Sequence, residues 1–193
     1  MILTKDIEIE EFNKNDTDCI CVIGCLFNEN GKKILNELLS WTTLKYHTYI
    51  VYQKMPGNLY EYPALKFAKD ISKLYNKPVL YIHTKGAYYN RKESPYIRNI
   101  WKELFYSRYN YCYEKIKDSN TLCCPYTGKT KIPWYNGFIA SPSAWDSIDL
   151  KYNANRFYYE DRLWNKTNVN FIGYFNDKLN NANEMNNYIK KCI

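Results

Sequence analysis

Apolar positions in this chain come in short blocks separated by polar segments, and the period inside each block assigns an element. Residues 1–18 are polar and acidic and read as an edge strand or a loose arm. The run CICVIGCLF at 19–27 is the longest apolar stretch, of a length that suits a buried strand. Residues 28–31 (NENG) are loop. Ile34, Leu35, Leu38 and Leu39 then recur at helical spacing and predict a helix over 32–44. A second strand covers 47–54 around Ile50 and Val51, and Met55, Pro56, Gly57 and Asn58 are loop. Leu65, Ala68, Ile71 and Leu74 predict a second amphipathic helix over 63–76. The third strand is VLYI at 79–82, apolar at every position and bounded by Pro78 and Gly86. A run of that kind is buried on both faces, as in the centre of a parallel sheet. Strand, helix, strand, helix, strand implies a largely parallel sheet with helices on both faces.

The second half is less regular. Ser94-Pro95 is a helix start, and Ile97, Trp101, Leu104, Arg108, Cys112 and Ile116 trace one face of a long helix over 95–118. Its tyrosines 106, 109, 111 and 113 read as core and flank. A short strand over 121–126 leads into a basic turn at 127–131. Residues 132–140 (IPWYNGFIA) are strand-like but interrupted by Asn136-Gly137. That pair is either a hairpin turn or a place where backbone approaches a ligand closely. Ser141-Pro142 opens a short helix through Ile148. FYYEDRLW at 157–164 reads as another, carrying Glu160 and Asp161. A last strand covers 169–175, and 176–193 is an Asn/Lys-rich helix or frayed tail. No repeat or linker interrupts the pattern, which predicts one domain over 1–193, with 1–18 as its arm and 176–193 as its tail.

Composition narrows the function. The 193 residues carry a net charge of +7, which favours anionic partners: phosphorylated sugars, nucleic acid or a membrane surface. The alternative source of that charge is compositional drift, since twenty-one tyrosines with abundant Lys, Asn and Ile are what an A+T-rich genome encodes. The basic residues are scattered, with no K/R-rich stretch of the type that marks nucleic-acid binding, so nucleic acid is a less favoured partner. No apolar run reaches the ~20 residues a membrane span needs. The N-terminus, with Asp6, Glu8, Glu10 and Glu11, does not resemble a signal peptide. Seven cysteines without a CxxC pair read as reduced, buried thiols of a cytoplasmic protein. Asp16-Thr17-Asp18 has the spacing of a metal-binding carboxylate pair but precedes a strand instead of ending one, and reads as a turn.

Candidate chemistry gathers where the central strand ends, at His83, Thr84, Lys85 and Gly86. In open α/β sheets ligands bind beyond the carboxyl ends of the strands. His83 can be a general base, a metal ligand or a hydrogen-bond donor to phosphate. Lys85 is a point charge suited to phosphate oxygens, and Gly86 lets the backbone turn tightly past a ligand. Glu160 and Asp161 are the carboxylates able to take a proton from an acceptor hydroxyl.

Four segments in order resemble small GT-A-type glycosyltransferase-like proteins of bacteria and large DNA viruses. They are VLYIHTKG at 79–86; the following helix with Arg98 and Trp101; WYNGFIASPSAW at 134–145; and Glu160-Asp161 before Leu163-Trp164. The resemblance implies a single-domain, three-layer GT-A-like α/β fold with a mostly parallel sheet. It implies transfer of a sugar from a nucleotide-sugar donor to a hydroxyl of a glycan, protein or lipid. His83, Thr84, Lys85 and Gly86 would bind the donor, Asp161 or Glu160 would serve as base, and Tyr135, Asn136 and Gly137 would line the acceptor side. Members of this fold hold the donor diphosphate with manganese or magnesium on an Asp-x-Asp at the end of the same strand. Here His83-Thr84-Lys85 stands in that place, so a lysine supplies the positive charge and donor binding is metal-independent or weakly metal-dependent. The same departure is compatible with a catalytically inactive relative that binds a nucleotide-sugar or glycan.

Overall fold

The computed structural model describes residues 6–54, 61–88, 92–127, 133, 136–153, 158–159, 164, 167–175, 184 and 187–188. Within these, the chain forms a seven-stranded mixed sheet with five α-helices. The strands are β1 (Ile7–Asn13), β2 (Ile20–Leu26), β3 (His47–Gln53), β4 (Val79–His83), β5 (Thr121–Cys124), β6 (Phe138–Ala140) and β7 (Asn170–Gly173). The helices are α1 (Glu29–Thr42), α2 (Tyr62–Tyr75), α3 (Ser94–Lys102), α4 (Tyr109–Ile116) and α5 (Pro142–Ser147). Strand order is β1-β3-β2-β4-β6-β5-β7.

Alternation along β4 shows how the layers form. Leu80 and Ile82 face one apolar cluster, with Leu35 and Leu38 of α1 and Trp101 and Leu104 of the third helical segment. Val79 and Tyr81 face the other, with Leu65 and Ala68 of α2 and Trp145 of α5. All four strand residues are fully buried, so the strand packs against helices on both sides.

The first helix starts earlier than its apolar period. Asn28 caps it, its side chain accepting from the Gly31 N–H at 2.6 Å, so Glu29 to Gly31 form its first turn and not a loop. The predicted long helix 95–118 is broken in the middle by a π turn over Glu103–Ser107, which separates α3 from α4. There Arg108 N–H reaches back five residues to the Glu103 carbonyl at 3.0 Å. The Tyr46 hydroxyl, from the residue before β3, donates to the Phe105 carbonyl at 2.5 Å. An inserted residue frees a helical carbonyl, and a buried hydroxyl satisfies it.

The sheet is mixed, not mostly parallel. The pairs β2–β3, β2–β4 and β5–β7 are parallel, while β1–β3, β4–β6 and β5–β6 are antiparallel. Parallel neighbours need a crossover, usually a helix. The stretch between β5 and β6 has no helical hydrophobic period, and β6 returns against β5 and against β4. The acidic arm reverses likewise, as edge strand β1. Among the described residues no helix is long and apolar enough to cross a membrane.

Candidate functional site

The path of the chain sets a topological switch point between β2 and β4. From β2 the chain crosses through α1 to β3, then returns through α2 to β4 on the far side of β2. The two helices cover opposite faces. The strand order therefore reverses between β2 and β4, and the carboxyl ends of these strands are where an open α/β sheet offers a ligand site. His83 ends β4 at that point, beside Gly24 of β2.

The loop after His83 is held from three directions. Thr84 is buried; its N–H donates to the Gly24 carbonyl at 2.9 Å and its hydroxyl accepts from the Leu26 N–H at 3.1 Å. Its side chain thus ties β4 to β2. Ala87 N–H donates to the Thr84 carbonyl at 3.0 Å, closing a turn with Gly86 at its third position and φ of +98°. A Cβ on Gly86 would also stand 2.7 Å from Cβ of Ser94 at the start of α3. Arg98 of α3 is buried and donates to the Lys85 carbonyl at 2.8 Å, and its guanidinium meets the Glu37 carboxylate of α1 at 2.8–2.9 Å. Asn28 donates to the Ala87 carbonyl at 3.1 Å. The Lys85 side chain is half-buried, and among the described residues it forms no ion pair within 4.0 Å. Thr84 and Gly86 shape the loop; His83 and Lys85 carry its titratable groups.

His83 has a neighbour that the sequence did not single out. Nε2 of its imidazole lies 3.7 Å from a carboxylate oxygen of Glu61, and both side chains are mostly buried, at 15% and 19% exposure. Glu61 precedes α2, where the positive end of the helix favours a carboxylate. Twenty-two positions separate the pair in sequence, and only the return of α2 across the sheet brings them together. The one local signal is Glu-Tyr-Pro at 61–63, an acid just before a helix-starting proline. The Trp101 ring packs edge-on to His83 at 5.5 Å, and the Tyr81 ring lies 6.1 Å away.

The Asn136-Gly137 segment enters from β6. The ladder between β4 and β6 ends at the Tyr81–Phe138 pair, and Asn136-Gly137 lead into it. A Cβ on Gly137 would come within 2.3 Å of the Trp101 indole, so the backbone lies flush against that ring. Asn136 is fully buried with φ of +53°. Among the described residues, neither its amide nitrogen nor its amide oxygen has a hydrogen-bond partner, and the Trp101 indole N–H has none either. Buried polar groups are normally paired, and this amide is an exception next to Gly137, which lies on the Trp101 ring that packs against His83.

Of the remaining candidates, Glu160, Asp161 and Tyr135 lie outside the described residues. Among the described residues the side-chain donors at the end of β4 are the His83 imidazole and the Glu61 carboxylate beside it. His83 brings one nitrogen, the Thr84 hydroxyl is bonded to Leu26, and Lys85 is a cation. Among the described residues no group of three or more His, Cys, Asp and Glu side chains forms a metal centre. Asp16 is fully exposed at the other end of β2, 3.8 Å from Lys77, and the Thr17 hydroxyl donates to the Cys19 carbonyl, as in a turn. A cleft of about 270 Å³ lies at that same amino end of the sheet, lined by Pro78, Asn120 and Ser141 among others. Its cation, Lys117, is paired with Glu114 at 2.7 Å. Comparison with known protein families, with curated proteins and with solved structures finds no match to this chain.

Proposed function

We propose that this α/β protein is a GT-A-type glycosyltransferase, which moves a sugar from a nucleotide-sugar to a hydroxyl of a glycan, protein or lipid. The observation that carries the reading is the rigid His83–Gly86 loop at the reversal of strand order between β2 and β4. In the reaction the acceptor oxygen attacks the anomeric carbon and a new C–O bond forms. The bond to the diphosphate breaks, and its electron pair goes to the leaving phosphate oxygen. The acceptor proton passes to a carboxylate, Asp161 or Glu160. Negative charge grows on the diphosphate, and preorganised positive charge facing it lowers the barrier. Lys85 and His83 are the groups we assign to that task, with no step routed through a metal. Asn136 and Gly137, with Tyr135, form the acceptor side in this reading, and the unpaired Asn136 amide supports it. The six described cysteines are buried free thiols, which supports a reducing, cytoplasmic setting.

The test is turnover of a panel of nucleotide-sugars, read as nucleoside diphosphate released and glycosylated product formed. Wild type turns over at least one donor, and Lys85→Ala and Asp161→Asn each lower kcat/KM by about tenfold or more. Wild-type rates in both variants would remove these assignments. Binding of a nucleotide-sugar without turnover would leave a non-catalytic binder of the same ligand.

A further inference from the structure

We infer that Glu61 holds His83 in its imidazolium form, so that His83 stands beside Lys85 as a second cation for the phosphates of an anionic ligand. The inference rests on the donor-site reading above and adds a positioning residue to it. The geometry is a carboxylate oxygen 3.7 Å from Nε2, with both side chains mostly shielded from water. An opposite charge at that distance favours the charged form of the ring, and shielding strengthens the effect.

The other described groups around His83 are neutral or of like charge. Lys85, two residues on, is a like charge and works against protonation. Partial burial works against it too. Tyr81, on the same strand, presents a neutral ring, and Trp101 of α3 another. Beside His83 on β2 stands Gly24, which has no side chain, and Ala64 of α2 lies 3.2 Å from where a Gly24 Cβ would be. On the β6 side the described residues leading into the strand, Asn136 and Gly137, are uncharged. Among the described groups facing the imidazole, Glu61 is the anion. With it, the end of β4 presents two cations at neutral pH; without it, one. A diphosphate takes up the second charge well, and a neutral hydroxyl does not.

The chain has two histidines, so the imidazole region of an NMR spectrum contains two signals, assigned with His83→Gln. The full-length protein is titrated with pH as wild type, Glu61→Gln and Glu61→Asp. The proton affinity of His83 falls roughly tenfold in Glu61→Gln and is largely restored in Glu61→Asp. The His47 signal in the same spectra reports that the fold is intact. A second arm needs no substitution: inorganic pyrophosphate added to wild type raises the proton affinity of His83. Unchanged His83 titration in Glu61→Gln, or no response to pyrophosphate, overturns the inference. Neither arm involves sugar transfer. If both arms behave as stated while no nucleotide-sugar is turned over, the pairing stands and the transferase reading falls. If a nucleotide-sugar is turned over while the His83 titration is unaltered, the transferase reading stands and the pairing falls.

Discussion

Gly86 is the residue on which the loop geometry depends most. It satisfies two independent demands: a φ of +98°, and contact with Ser94 too close for any side chain. Gly86→Ala destabilises the protein by about 2–3 kcal/mol through backbone strain and overpacking. For a chain of this size that lowers Tm by roughly 4–12 °C in a thermal melt. An unchanged Tm would mean that the loop is not fixed as described. The residues around it divide by visibility. His83 and Lys85 stand out in the sequence because polar groups follow four apolar ones. Glu61 does not, because nothing in its own segment records that α2 returns to β4. Thr84 shows the converse: it looks like a ligand group in sequence, and its hydroxyl bonds Leu26 across 58 positions.

At the scale of elements, β1 is the edge whose attachment titrates. Glu11 of β1 contacts His47 at 2.7 Å, Tyr49 at 3.1 Å and Lys14 at 3.2 Å. Desolvation raises the Glu11 pKa, but hydrogen bonds from His47, Lys14 and Tyr49 outweigh it and leave the carboxyl below its ordinary value of 4.5. A depressed folded-state pKa contributes stability that is present above the unfolded value and is lost as pH falls through the folded one. Protection of β1 amides from hydrogen exchange therefore drops, relative to β2, once the pH falls below about 4.5. In Glu11→Gln the protection is low at every pH and the acid step disappears. A β1 that stays equally protected through that range would show that the carboxylate does not hold the edge.

Elements also show which signals are local. Strands buried on both faces, β2 and β4, are legible because their runs Ile20–Leu26 and Val79–Ile82 are apolar. β6 is three residues long, and its direction follows from insertion between β4 and β5. The π turn depends on a hydroxyl 59 positions away. A periodic pattern records which face of a segment is buried, and it carries no information about either of these.

For the whole molecule, the three-layer arrangement places helices on both faces and directs β2, β3, β4, β5 and β7 the same way, so their carboxyl ends share one edge. The layers also enclose the thiols. Burial pushes Cys19 and Cys25 up to about 12, and Cys21 and Cys124 well above the ordinary value. Protonated, enclosed thiols react slowly. All six described cysteines are buried, which keeps a thiol reagent away from them at pH 8, and the native protein titrates at most one rapid thiol of its seven. All seven react in denaturant. Two or more fast native thiols would contradict the packing of these layers.

The claim on which the function rests is that the end of β4 receives a diphosphate. Calorimetric titration of wild type and Lys85→Ala with UDP, GDP and ADP at pH 7 tests it most directly. Wild type binds at least one of them, and Lys85→Ala binds the same nucleotide at least about tenfold more weakly, the loss of one charged hydrogen bond, with an unchanged Tm. Equal affinity in the two proteins, or no binding to wild type, would contradict the account.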